Sequence, residues 1–343
     1  MTIRPGAIRF NTDSMKLEIF RGSANYNGSA SMTGIGTLAA GQWEEIVATS
    51  PDVLTGGARG LFTGGYGSGA SSPKVTNKIN YVNIASTGNA QEFGTLSTGG
   101  DQDIVPVGAS RTRGVFRDGN SAPMTFVTFA STGNSVTFGN FGLSNNRANG
   151  LSNDTRGIAG GNGTSTRNQL EYITIASLGN AVDFGNLATG AHSPGTGASQ
   201  TRGIFAGCAT HPTNNGNAIE YITISTLGNA ADFGDLQYEG NSYQTNSSSN
   251  TTRMFVMDVN KIEFIQIQTL GNATDFGDTS ASVDNKGGGC ASPTRALFGG
   301  GADPAVSIEY VQISTKGNAV DFGDLTYIEN RHGCGMSNGH GGL

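Results

Sequence analysis

The sequence predicts an all-β protein, a β-propeller of four-stranded blades, and three observations carry that expectation. First, one unit is written repeatedly, as "LEYITIASLGNAVDFGNL" from Leu170, "IEYITISTLGNAADFGDL" from Ile219 and "IEYVQISTKGNAVDFGDL" from Ile308. Second, spacing inside the unit is fixed while spacing between units drifts. Third, 54 of 343 residues are Gly, only 13% are charged, and no segment keeps a helical period of 3.6. Such a composition suits short strands joined by tight turns.

Each element of the unit follows from its residues. Gly-Asn pairs stand at Gly88-Asn89, Gly133-Asn134, Gly179-Asn180, Gly228-Asn229, Gly271-Asn272 and Gly317-Asn318. Four residues beyond each Asn comes Phe93, Phe138, Phe184, Phe233, Phe276 or Phe322. Twelve residues before each Phe comes Tyr81, Phe126, Tyr172, Tyr221, Phe264 or Tyr310. The Phe-to-Phe steps are 45, 46, 49, 43 and 46, so length variation falls in the connections. Upstream, a short apolar run opens on Arg59, Arg113, Arg156, Arg202, Arg253 or Arg295, as in "TRGIF" and "TRALF". Runs such as "IEYITI" and "ADFGDL" are strands by their Ile, Val, Thr, Tyr and Phe content. The Gly-Asn pair is expected to make the turn between them, since both residues tolerate left-handed backbone. In Ile219–Ile224, Ile219 and Tyr221 face one way and Ile222 and Ile224 the other. Both faces are apolar, so the sheets should stack on both sides, as propeller blades do.

The ends set the blade count. Trp43 in "GQWEEI" lies fifty residues before Phe93, and Ile46 follows it by three as Leu236 follows Phe233. Upstream, "GAIRFN" and "KLEIF" read as strands of the same blade. "RHGCGMSNGHGGL" (331–343) aligns with "KGGGCASPTRALF" (286–298) and begins a repeat without finishing it. The spacing therefore favours one domain over 1–343 with seven blades. Segment 1–46 would be a closing blade or attachment module, and 331–343 the closing strand. Six blades plus a separate N-terminal β module is the alternative.

Chemistry is sparse. Net charge is −6, with six Lys beside fourteen Arg, which argues against nucleic acid. No stretch of eighteen apolar residues exists to insert in a membrane, and "MTIRPGAIRF" lacks a secretory h-region, so folding in a cytoplasm is expected. Cys208, Cys290 and Cys334 form no paired framework and are expected as free thiols. His192, His211, His332 and His340 have no metal-site spacing, so neither metal nor cofactor is expected. "GGYGSG" (Gly64–Gly69) precedes no helix and reads as a turn. A residue present in every unit serves the unit, so the six Arg, the six Phe, Trp43 and the acids Glu92, Asp183, Asp232, Asp275 and Asp321 are expected to be architectural. The Arg set reads as a ladder of hydrogen bonds to carbonyls or those acids, with an anionic-sugar ring as the sharper alternative. No catalytic residues are expected. Recognition should instead use the variable connections after the second and fourth strands, with His211, Asn214, Asn215, Tyr238 and Tyr243 as binding candidates.

Two resemblances rest on these residues. The order "RGIFAG", "IEYITIST", Gly-Asn and "DFGDL" resembles the kelch repeat, although kelch repeats carry Trp where these copies carry Phe. "RPGAIRFNTDSMKLEIFRGS…GQWEEI" (Arg4–Ile46) resembles a segment common in virion proteins of tailed bacteriophages, and tail fibres of phages infecting cyanobacteria carry similar Gly-rich repeats. The resemblance implies a non-enzymatic virion structural protein, assembled in the host cytoplasm as part of the tail or its fibres. Its partners would be other virion proteins, host-surface polysaccharide and further copies of the chain. A cellular kelch-type lectin or scaffold is the alternative.

Overall fold

A computed structural model of the chain describes residues 7–11, 16–21, 42–45, 58–64, 76–97, 104–118, 123–142, 148–161, 168–191, 194–208, 216–238, 246–283, 287–300, 306–327 and 333–339. Among them every regular element is a strand. The chain divides into two compact units, Met1–Leu54 and Thr55–Leu343, where the sequence suggests one domain. In the first unit, β1 (Ile8–Asn11), β2 (Lys16–Arg21) and β3 (Gln42–Glu45) form an antiparallel sheet with Phe20 opposite Trp43.

The second unit is a six-bladed propeller. Blade 1 holds β4 (Arg59–Thr63), β5 (Lys78–Asn83) and β6 (Gln91–Thr95). Blade 2 runs through β7 (Ile104–Ala109), β8 (Arg113–Asp118), β9 (Pro123–Thr128) and β10 (Val136–Asn140). Blade 3 runs through β11 (Asn149–Ser152), β12 (Arg156–Gly160), β13 (Gln169–Thr174) and β14 (Val182–Asn186). Blade 4 comprises β15 (Gly195–Ala198), β16 (Arg202–Cys208), β17 (Ala218–Thr223) and β18 (Ala231–Asp235). In blade 5, β19 (Asn246–Ser249) and β21 (Thr274–Val283) flank β20 (Arg253–Gln266), whose two halves take the second and third places. Blade 6 comprises β22 (Gly288–Ala291), β23 (Arg295–Gly299), β24 (Ser307–Gln312) and β25 (Val320–Asp324). Pairing within each blade is antiparallel and sequential.

The last strand corrects the blade count. β26 (Cys334–Ser337) pairs with β4, placing Cys334 opposite Thr63 and Ser337 opposite Gly60. The C-terminal strand therefore opens the first repeat and does not start a seventh. Among the described residues no strand of repeat 1 precedes Arg59, and β26 takes the inner place beside β4, which removes an unpaired sheet edge. Six written repeats make six blades, and among the described residues β1–β3 pair only with one another. The ungapped alignment of 331–343 with 286–298 is also off by one: Ser337 takes the place of Ala291, not Ser292. A one-residue slip would turn every side chain to the opposite face.

The first strands adjoin one another in the closed order β26, β7, β11, β15, β19, β22, and so enclose the ring axis. Strand direction alternates, so connections after second and fourth strands emerge at one end of the ring, called here the loop end. Turns after first and third strands emerge at the other, the turn end. Between blades the core is apolar on both sides, as the double-faced "IEYITI" pattern requires. Phe233, Ile219 and Leu236 of blade 4, for example, meet Met254, Val256, Ile265 and Ile267 of blade 5. Close to the axis, bulk is exchanged between neighbours. Leu151 and Met336 fill the space that Gly203 and Gly114 leave, whereas at Gly197 the neighbouring blade supplies Met254.

Candidate functional site

The turn end is occupied by architecture. Each repeated Arg donates from Nη1 to a carbonyl of the next blade: Phe129, Ile175, Ile224, Ile267, Ile313 and, closing the ring, Ile84, at 2.5–3.1 Å. Each guanidinium also lies 4.3–5.0 Å above the aromatic ring of its own blade's third strand. That ring meets the repeated Phe edge to face at 5.8–6.1 Å. The six guanidiniums are thus engaged in blade contacts through Nη1 and through their faces. The acids Glu92, Asp183, Asp232, Asp275 and Asp321 are exposed and are not the partners of these Arg.

The Gly-Asn pairs do something the sequence did not suggest. The reversal between third and fourth strands comes earlier, as at Ser86, whose N–H donates to Asn83 O. Gly-Asn-Ala then reaches sideways. Each of its Gly donates to the repeated Phe carbonyl of the preceding blade at 2.8–3.1 Å. Each Asn Oδ1 accepts from a main-chain N–H two residues beyond that Phe, at 3.0–3.1 Å. The result is a belt of interblade bonds around the rim.

At the loop end, the third strands contribute carboxylates that sequence reasoning passed over. Glu220, only 2% exposed, accepts from Ala188 N at 2.7 Å and Thr189 N at 2.6 Å. Glu171, Glu263 and Glu309 accept likewise from Gly142, Gln237 and Ser280 of the preceding blade. Asn80 does the same for Thr326. The recurrence of Glu before Tyr172, Tyr221, Phe264 and Tyr310, four of the six repeated aromatics, was the available signal. Also at this end, the six inner strands frame an axial depression of about 250 Å³, counting its open mouth. Pro106, Asn149, Thr196, Asn246, Ser247 and Gly289 line it.

Of the binding candidates, Tyr238 is 39% exposed just past β18, at the loop end. Nearby, Asp278 bonds Lys261 at 2.7 Å and holds its ammonium above the usual value. His211, Asn214, Asn215 and Tyr243 lie outside the described residues, as do the other three His and the side chains of Trp43 and Cys208. Cys290 and Cys334 are buried thiols, and burial pushes the Cys290 thiol up, away from the reactive thiolate. Among the described residues no cluster of His, Cys, Asp or Glu is placed to hold a metal, and no helix could cross a membrane.

No protein-family model matches the chain, and no curated protein matches it. Solved structures do: one titled "Structure of YjhT" is similar over 66% of this chain and 84% of its own, at 9% identity and a TM-score of 0.48. A likeness that distant carries nothing about activity.

Proposed function

We propose that this protein is a non-enzymatic recognition and attachment module of a tailed-phage virion, carried on the tail or a tail fibre. The observation that carries the recognition reading is the division of the ring into two ends. The turn end repeats the same bonds blade after blade, whereas both variable sets of connections and the axial depression share the loop end. A scaffold held by rigid interblade bonds, with varied polar connections at one end, suits binding without bond-making chemistry. The phage setting is supported by the resemblance of Arg4–Ile46, and by Gly-rich repeats like those of cyanophage fibres. Host-surface polysaccharide and neighbouring virion proteins are the partners proposed. A cellular kelch-type lectin or scaffold is the second reading, favoured by the order of Gly and aromatic residues in each repeat.

The test exchanges connections without disturbing strands. Residues 209–217 of blade 4 are replaced by the blade 6 stretch 300–306, and residues 237–245 by the blade 3 stretch 188–194. Particles carrying either exchange should assemble and should adsorb to host cells at least tenfold more weakly. Normal adsorption for both exchanges would remove the recognition role. Absence of the chain from purified particles would favour the cellular reading, and turnover of a polysaccharide by the purified chain would refute the non-enzymatic one.

A further inference from the structure

Asn246 opens β19 at the rim of the axial depression, is 2% exposed, and has neither its Oδ1 nor its Nδ2 hydrogen-bonded. Its position does not force this. Asn149 holds the same register in blade 3, opposite Gly160 as Asn246 is opposite Met257. There Nδ2 donates to Pro194 O at 2.9 Å, and Oδ1 accepts from Gly150 N at 3.1 Å. Buried polar groups are normally paired, so a carboxamide with both atoms unbonded and shielded from solvent asks for a partner group small enough to enter beside it.

The chemistry of that partner follows from the lining. Oδ1 requires a donor and Nδ2 an acceptor. A hydroxyl supplies both, whereas a carboxylate lacks the donor and an ammonium lacks the acceptor. Asn149, Thr196 and Ser247 are uncharged, and the rest of the lining is Pro, Cys and Gly, so nothing there neutralises an ion. The enclosed part admits one water-sized group. A larger ligand must therefore rest over the mouth and lower one group into it.

We propose that the axial mouth at the loop end binds a neutral carbohydrate, one hydroxyl of which bonds the Asn246 carboxamide. This deepens the recognition reading and rests on the loop end being the recognition face. It is tested separately, on the isolated chain with its connections intact. Glucose, galactose, mannose and N-acetylglucosamine are each added at about 20 mM, above the millimolar Kd that a few hydrogen bonds support. Saturation-transfer difference NMR reads binding, and thermal melting reads the fold. At least one sugar should give a signal, and Asn246→Ala should reduce it at least tenfold. Without sugar, the melting temperature of Asn246→Ala should equal or exceed that of the parent, because an unpaired buried group has been removed. Asn246→Gly is the second variant, since Gly195 and Gly288 hold the same register in blades 4 and 6. No signal from any sugar, or a signal that survives either substitution, overturns the proposal. A lowered melting temperature with no sugar signal would assign Asn246 to a bound water only, and overturns it equally. Failed adsorption with intact sugar binding, or the reverse, separates this site from the connections.

Discussion

Two repeated glycines are held by backbone conformation and by close approach. In five of the six Gly-Asn pairs the constraint is backbone conformation: φ is 153° at Gly88, 155° at Gly133 and 156° at Gly317, with open space where a Cβ would project. In every Phe-Gly pair there is a constraint of approach, since a Cβ on Gly94, Gly139, Gly185, Gly234, Gly277 or Gly323 would come within 2.0–2.5 Å of the next blade's Gly-Asn main chain, and Gly185, Gly234 and Gly323 have positive φ besides. Gly133→Ala should therefore cost about 1–3 kcal/mol of strain alone. Gly139→Ala should cost more and loosen the belt locally, because the obstruction is backbone at 2.0 Å. Denaturant melts of both variants, with hydrogen exchange at Gly179 N–H, would check the order. Phe184, buried against blade 4, should lose roughly 3–5 kcal/mol on truncation to Ala. A loss below about 1 kcal/mol would mean that the ring is not part of the core.

A blade is one meander, but its edges are completed by its neighbours. The fourth strand of blade 3 ends at Asn186, and the chain beyond Leu187 turns where Glu220 of blade 4 receives Ala188 N and Thr189 N. Blade 2 has Thr125 at the corresponding place, and there Ser97 N bonds Ser135 Oγ at 2.9 Å. Glu220→Ala should cost about 2–4 kcal/mol, given roughly 1.5–3 kcal/mol for a charge-assisted bond and incomplete additivity. The expected signature is faster exchange at Ala188 and Thr189 with the blade 4 strands still protected. Equal loss of protection throughout blade 4 would show that Glu220 supports the blade and not the connection.

The whole ring depends on contacts between its chain ends. β26 supplies the inner strand of blade 1, and Ser337 Oγ bonds Ala291 O of blade 6 at 2.5 Å. A Ser–Ala bond recurs at alternate interfaces: Ser152 Oγ donates to Ala109 O and accepts from Ala109 N, and Ser249 Oγ accepts from Ala198 N, which gives the axis a pseudo-threefold pattern. Deleting 333–343 should strip blade 1 of its inner strand and expose the β4 edge, with aggregation or a large fall in melting temperature. A truncated chain that melts like the parent would show that the belt and the Arg ladder close the ring unaided.

Repetition in the sequence determined the all-β architecture, the identity of the repeated core and the likeness of the blades. Each of those is set by local pattern: "IEYITI" is apolar on both faces, so it can only be stacked, and an interval of twelve residues fixes Tyr172 over Phe184 in every copy. The partners of the repeated polar residues lie elsewhere in the chain, and local pattern cannot name them. Arg295 bonds a carbonyl 211 residues away, and Asp324 N finds Asn89 across 235. Only the tertiary structure decided that Gly-Asn is an interblade clasp, that 334–337 belongs with Arg59, and that the ring has six blades. The open carboxamide of Asn246 lay beyond the sequence for the same reason. Asn149 stands at the same place in its own blade, and the adjoining blade determines which of the two finds a partner: Pro194 O, just before β15, receives the Asn149 amide.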